Sequence, residues 1–139
     1  MAQQFQRSVA QNGAAPTVHH DAPLVVVETV PMTPPYGESA AIVAGQLTIA
    51  FGADIASVTI ELVRNADVDN VLIGLVEVNV TAPAGQVVYS VMGVDQIPDG
   101  RDVKYAMRVT TTGGVDDCTA SNPVVDATLL SGAKGQGGF

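Results

Sequence analysis

In the run Ala56 to Arg64, Val58, Ile60 and Leu62 alternate with Thr59 and Glu61. A period of two puts the three apolar residues on one face of an extended strand, whereas a helix would scatter them. The same pattern recurs at short intervals. Leu47, Ile49 and Phe51 alternate with Thr48 and Ala50, and Gly52-Ala53-Asp54 then supplies turn residues. The segment from Asn65 to Asn70 is rich in Asn and Asp, which bond their own backbone and tolerate left-handed φ, so it predicts the loop into a strand over 71–80. Pro83-Ala84-Gly85 reads as a turn, after which Val87, Tyr89 and Val91 face away from Val88, Ser90 and Met92. A loop is predicted from Gly93 to Asp102. Val103, Tyr105, Met107 and Val109 then oppose Lys104, Ala106, Arg108 and Thr110, with the two bases expected to be solvated. After a break at Thr112-Gly113-Gly114, Val125, Ala127 and Leu129 oppose Asp126 and Thr128.

Ala40 to Val43 and Leu24 to Val30 add two further strand signals, for about seven to eight in all. Short strands separated by turn residues predict an all-β, antiparallel sandwich or jelly roll. The expected division is an extended N-terminal arm over 1–37, a β-sandwich over 38–131 and a flexible tail over 132–139. The arm opens on Gln, Ala, Ser and Asn, too polar to order itself. Leu24 to Val30 has strong strand propensity and could pair with a sheet edge of its own domain or a neighbour's. Pro31, Pro34 and Pro35 stiffen the last part of the arm, which if wholly extended would reach on the order of 110 Å. Removing residues 1–37 is expected to leave a folded domain.

Composition narrows the function. The chain has 139 residues, 47% of them hydrophobic but only 4% aromatic, and branched aliphatics suit interdigitated sheets. Cys118 is the one cysteine, so no intramolecular disulfide is available. The net charge is −8, and the excess acids lie beyond residue 37, a sign that disfavours nucleic acid. No stretch reads as a secretory leader or approaches the roughly 20 apolar residues of a membrane helix. Synthesis in a cytoplasm and no membrane partner are the expectations.

Candidate chemistry is sparse. His19 and His20 are adjacent and cannot converge on one ion from a single strand face. Asp67-Val68-Asp69-Asn70 resembles the start of a calcium loop, but Leu72 and Val78 stand where Gly and Glu are required. Calcium at Asp67 and Asp69, or at Asp95, Asp99 and Asp102, ranks below ordinary turn chemistry. Asp116 and Asp117 disfavour a Cys118 thiolate, and no base stands in a fixed place to activate a nucleophile. No catalytic residue, cofactor site or metal site is assigned, and the chain is expected not to be an enzyme.

The span Gly45 to Leu130 resembles small β-sandwich modules of phage virions, built like the jelly roll of tumour necrosis factor-like domains. The resemblance is carried by Leu47 to Asp54, Val58 to Arg64 with its Asn/Asp turn, Val80 to Gly85, Val91 to Asp95 and Tyr105 to Thr110. It implies a bacteriophage structural protein, a decoration or cement subunit that trimerises on the capsid surface. Its implied partners are the major capsid protein or other virion subunits. The arm would stabilise the shell, with Leu24, Val25, Val26, Val27 and Tyr36 as partner-binding residues. A tail-fibre or baseplate module is the alternative within that class. An Ig-like or fibronectin-like adhesion or carbohydrate-binding domain is the alternative outside it.

Overall fold

The computed structural model describes residues 4–19, 21–34, 39–51, 55–79, 85–97, 102–114 and 117–131. Nine strands order them: β1 (Gln4–Gln11), β2 (Thr17–Val18), β3 (Leu24–Glu28), β4 (Ser39–Phe51), β5 (Ile55–Arg64), β6 (Val71–Asn79), β7 (Gly85–Ile97), β8 (Tyr105–Gly114) and β9 (Cys118–Ser131). They form two antiparallel sheets. Sheet I has the order β1-β9-β4-β7, with β2 also on β9, and sheet II has the order β3-β8-β5-β6.

The pairings are nested. β1 pairs with β9, β3 with β8, β4 with β7 and β5 with β6, so the chain is one long antiparallel ribbon whose tip is the β5–β6 hairpin. Folding that ribbon over joins β4 to β9 and β5 to β8, which completes the two sheets. This is a jelly-roll sandwich, as the alternation predicts.

Between the sheets lies the core that the alternation predicts. Val58, Ile60 and Leu62 of β5 are fully buried against Tyr105, Met107 and Val109 of β8, Leu47 and Ile49 of β4, and Val125, Ala127 and Leu129 of β9. The Asn65 loop also forms as expected. Asn65 and Asn70 take left-handed φ of 49° and 52°. The Asn65 side chain accepts from the Lys104 amide at 2.9 Å and donates to Asp69 Oδ2 at 3.0 Å.

The N-terminal boundary needs correction. Residues expected to lie outside the sandwich as an arm are part of it: β1 pairs with the C-terminal part of β9 from Gln4↔Ser131 to Gln11↔Val124, and β2 continues along the same edge at Thr119 and Cys118. Backbone pairing does not depend on side-chain polarity, so a Gln-rich segment that cannot fold alone is ordered by an existing edge. Between β1 and β2, Asn12 donates from its backbone to the Pro123 carbonyl and from its side chain to the Val26 carbonyl. β3 pairs with this domain's own β8, and a bulge at Val26 turns Val26 and Val27 both into the core.

Other boundaries shift because pairing extends strands past weak signals. Ala40–Val43 and Leu47–Phe51 are one strand of 13 residues through Gly45. β7 continues into the predicted loop as far as Ile97, and β8 passes the predicted break to reach Gly114. The turn predicted at 52–54, the first two residues of the turn predicted at 83–85, and the 132–139 tail lie outside the described residues, while Gly85 opens β7.

Two glycines, Gly74 and Gly93, set how closely β6 and β7 approach. A Cβ on Gly93 of β7 would stand 2.0 Å from the Ile73 carbonyl oxygen, where β6 crosses over from sheet II. Only a residue without a side chain fits there.

Candidate interaction surface

The outward faces of the two sheets follow from register, because directly paired residues point to the same side. On sheet II, Glu61 stands opposite Arg108, and Thr59 opposite Thr110. Arg108 donates to Glu61 Oε1 at 3.0 Å and to Asn70 Oδ1 at 2.7 Å. Lys104 reaches Asp67 at 3.0 Å and Glu28 at 3.5 Å. The expectation that these two bases are merely solvated is therefore corrected: β5 supplies a carboxylate to Arg108, and β3 and the 65–70 loop supply carboxylates to Lys104. The same face also carries exposed Val25, Leu72 and Leu75, paired with Arg108, Val63 and Glu61 respectively, so it mixes ion pairs with apolar side chains.

Sheet I presents a different face. Ile42 stands opposite Val94, Ala44 opposite Met92 and Thr48 opposite Val88. Met92 is 68% exposed, Val94 63%, Val88 56% and Ile42 46%. Towards β1 the same rows continue through Thr128 to Arg7 and through Asp126 to Val9. Arg7 donates to both carboxylate oxygens of Asp126, at 3.0 and 2.7 Å, and this holds the Asp126 carboxyl below its ordinary range. A depression of about 390 Å³ opens beside Met92, between Ala44, Gln46, Ser90 and Val124.

A buried cluster that sequence reasoning missed joins the sheets. Arg64, at the end of β5, donates from Nη1 to Asp95 of β7 at 3.0 and 3.1 Å, and the Tyr105 hydroxyl donates to Asp95 Oδ2 at 2.8 Å. Burial, then the adjacent Asp95 charge, raises the Tyr105 hydroxyl well above its ordinary range. Asp95 faces inward because it pairs with buried Ala41. An Asp in a predicted loop gave no sign of this. The signal available was parity: Asp95 shares a face with Val91 once the strand continues.

The remaining candidates take ordinary roles. Asp67 and Asp69 are engaged by Lys104 and Asn65, and Asp102 accepts from the Thr33 hydroxyl at 2.7 Å, while Asp99 lies outside the described residues. His19 lies 3.1 Å from Asp117, and His20 lies outside the described residues. Cys118 is buried, and burial followed by the Asp117 charge pushes its thiol up to about 11. Of the expected partner-binding residues, Val26 and Val27 are core, Leu24 packs against it, Val25 is exposed, and Tyr36 lies outside the described residues. Leu24–Glu28 pairs on one side with this domain's own β8 and stands at the end of sheet II.

No protein family matches the chain, and no curated protein matches it in sequence. Among solved structures it is similar to the Eiger TNF from S. frugiperda, at 17% identity and a TM-score of 0.55, over 91% of this chain and 92% of that one. It is also similar to infectious bursal disease virus Gx strain, at 9% identity and a TM-score of 0.47, over 94% of this chain and 37% of that one. The VP2 subviral particle of infectious bursal disease virus gives 11% identity and a TM-score of 0.46, over 92% of this chain and 36% of that one. The likeness to the first of these is a likeness of fold: a jelly-roll sandwich matched over nearly the whole of both chains.

Proposed function

We propose that the chain is a virion structural protein: a bacteriophage decoration or cement subunit that assembles as a homotrimer and seats on the major capsid protein. One observation carries this reading, the broad apolar face of sheet I on a chain whose net charge is otherwise strongly negative. Monomeric soluble proteins rarely leave such a face open, and it marks an interaction surface. The reading is non-enzymatic, in keeping with carboxylates and bases that are consumed pairwise in ion pairs. The N-terminal segment serves the shell indirectly, by completing the sandwich along β9 and β8, and not as a free strand.

The test is particle occupancy. Particles purified from cells making this chain are examined for its copy number, and the free protein for its mass by light scattering. Many copies per particle and a trimeric mass are expected. A chain that stays off the particles overturns the reading, and a handful of copies at one symmetry axis replaces it with a tail-fibre or baseplate module.

A further inference from the structure

We propose that Asn12–Gly13, at the junction between β1 and β2, is a spontaneous deamidation site, and that its reaction releases β1 from the sandwich. Neither step depends on assembly.

The sequence supplies the chemistry. Of the five asparagines, Asn12 is the one followed by glycine, while the others precede Ala66, Val71, Val80 and Pro123. In the reaction the Gly13 backbone nitrogen loses its proton to hydroxide and attacks Asn12 Cγ. A C–N bond forms, the Cγ–Nδ2 bond breaks, and ammonia leaves with a proton taken from water. Water then adds to either carbonyl of the five-membered imide and opens it to aspartate or isoaspartate. A side chain on the following residue would crowd the ring closure, and glycine has none.

The structure presents this pair to water. Gly13 is exposed, so hydroxide reaches its amide. The Ala14 amide donates to Asn12 Oδ1 at 3.0 Å. That bond turns the side chain back along the chain towards its C-terminal neighbour, and it stabilises the negative charge that Oδ1 gains as Cγ is attacked. A hollow of about 60 Å³ lined by Asn12, Gly13, Asn122 and Pro123 has room for the water that opens the ring.

Release of β1 follows from what Asn12 holds. Its side-chain amide donates to the Val26 carbonyl of sheet II at 2.9 Å, and its backbone amide donates to the Pro123 carbonyl of sheet I at 3.1 Å. Deamidation replaces the side-chain donor with a carboxylate oxygen, so two acceptors face each other and the tie to β3 breaks. The isoaspartate product also lengthens the link between β1 and β2, both of which are registered on β9. None of the described side chains from Gln6 to Gln11 is fully buried, and elements with little apolar burial open first.

Ageing the full chain at mildly alkaline pH tests both steps, read by tandem mass spectrometry and by brief trypsin digestion. A gain of about 1 Da at residue 12 is expected. Gly13→Ala should slow that gain at least about tenfold. Its melting temperature should not change, because a Cβ on Gly13 meets nothing within 4 Å and the backbone there is not left-handed. In the aged protein, and in fresh Asn12→Asp, trypsin should cut after Arg7 at least about tenfold faster than in fresh wild type. The bond after buried Arg64 should stay protected. No gain at residue 12, or a gain that Gly13→Ala leaves as fast, overturns the site. A gain with unchanged cleavage after Arg7 overturns the release of β1, and cleavage after Arg7 and Arg64 together replaces it with global unfolding.

Discussion

The outer faces of the two sheets belong to one sandwich, yet they are finished differently. On sheet II Arg108 has the Glu61 carboxylate one strand away and Lys104 has Asp67 of the adjoining loop, while Val25, Leu72 and Leu75 stand exposed around them. On sheet I the corresponding rows place Val94 beside Ile42 and Met92 beside Ala44, and leave their apolar side chains open to water. The difference teaches where binding free energy is still available. Satisfied ion pairs gain little from a partner, because their groups would exchange one set of contacts for another. An open aliphatic face gains roughly 25 cal/mol for each Å² removed from water.

Experiments can break this contrast, beginning with the lock that holds the sheets together. Asp95→Ala should lower unfolding stability by about 3–5 kcal/mol, because Arg64 stays buried without its carboxylate. Urea denaturation measures it, and a loss below ~1 kcal/mol would mean that the cluster does not fix the sheets. Next in size is Gly93→Ala, expected to cost about 1–3 kcal/mol in the same assay by forcing β6 away from β7. Assembly should weaken in parallel, since Met92 and Val94 flank the displaced residue.

Arg108→Ala sharpens the contrast directly. It removes partners from half-buried Glu61 and from Asn70, and should cost about 1 kcal/mol of stability while leaving assembly untouched. Met92→Ser should do the reverse, changing stability by less than about 0.5 kcal/mol.

The smallest effect is one of pH. The Arg7 hydrogen bond and charge depress the Asp126 carboxyl below its ordinary 3.8. A depressed carboxyl contributes stability that is complete above 3.8 and is lost as pH falls through the lowered value. For a surface pair this is at most about 1 kcal/mol. Faster amide exchange confined to β1 on acidification below pH ~3.8 would register it, and uniform exchange across sheet I would refute it.

Much of the fold was legible in local pattern. Alternation in β5, β8 and β9 marked Ile60, Met107 and Ala127 as core because a sheet buried on one face enforces period two, and all three are fully buried. Alternation failed where burial is not its cause. β1 carries Gln and Ser in a strand held by backbone bonds to β9, so its side chains hold no strand signal. In β3 a bulge puts consecutive Val26 and Val27 in the core and erases the period.

The candidate surface was half legible. Alternation alone puts Met92 and Val88 on one face of a strand, but only pairing shows that this face continues through Ile42 and Ala44 of β4.

By itself, then, the sequence determined an all-β sandwich, the inward residues of its central strands and the Asn65 turn, all of which depend on neighbours in the chain. Tertiary structure alone decided that the N-terminal segment belongs to the sandwich, that Arg64, Asp95 and Tyr105 meet, and that aliphatic rows from separate strands merge into one open face. Those outcomes depend on long-range register, which joins Gln4 to Ser131 and Ile42 to Val94 and leaves no trace in any local window.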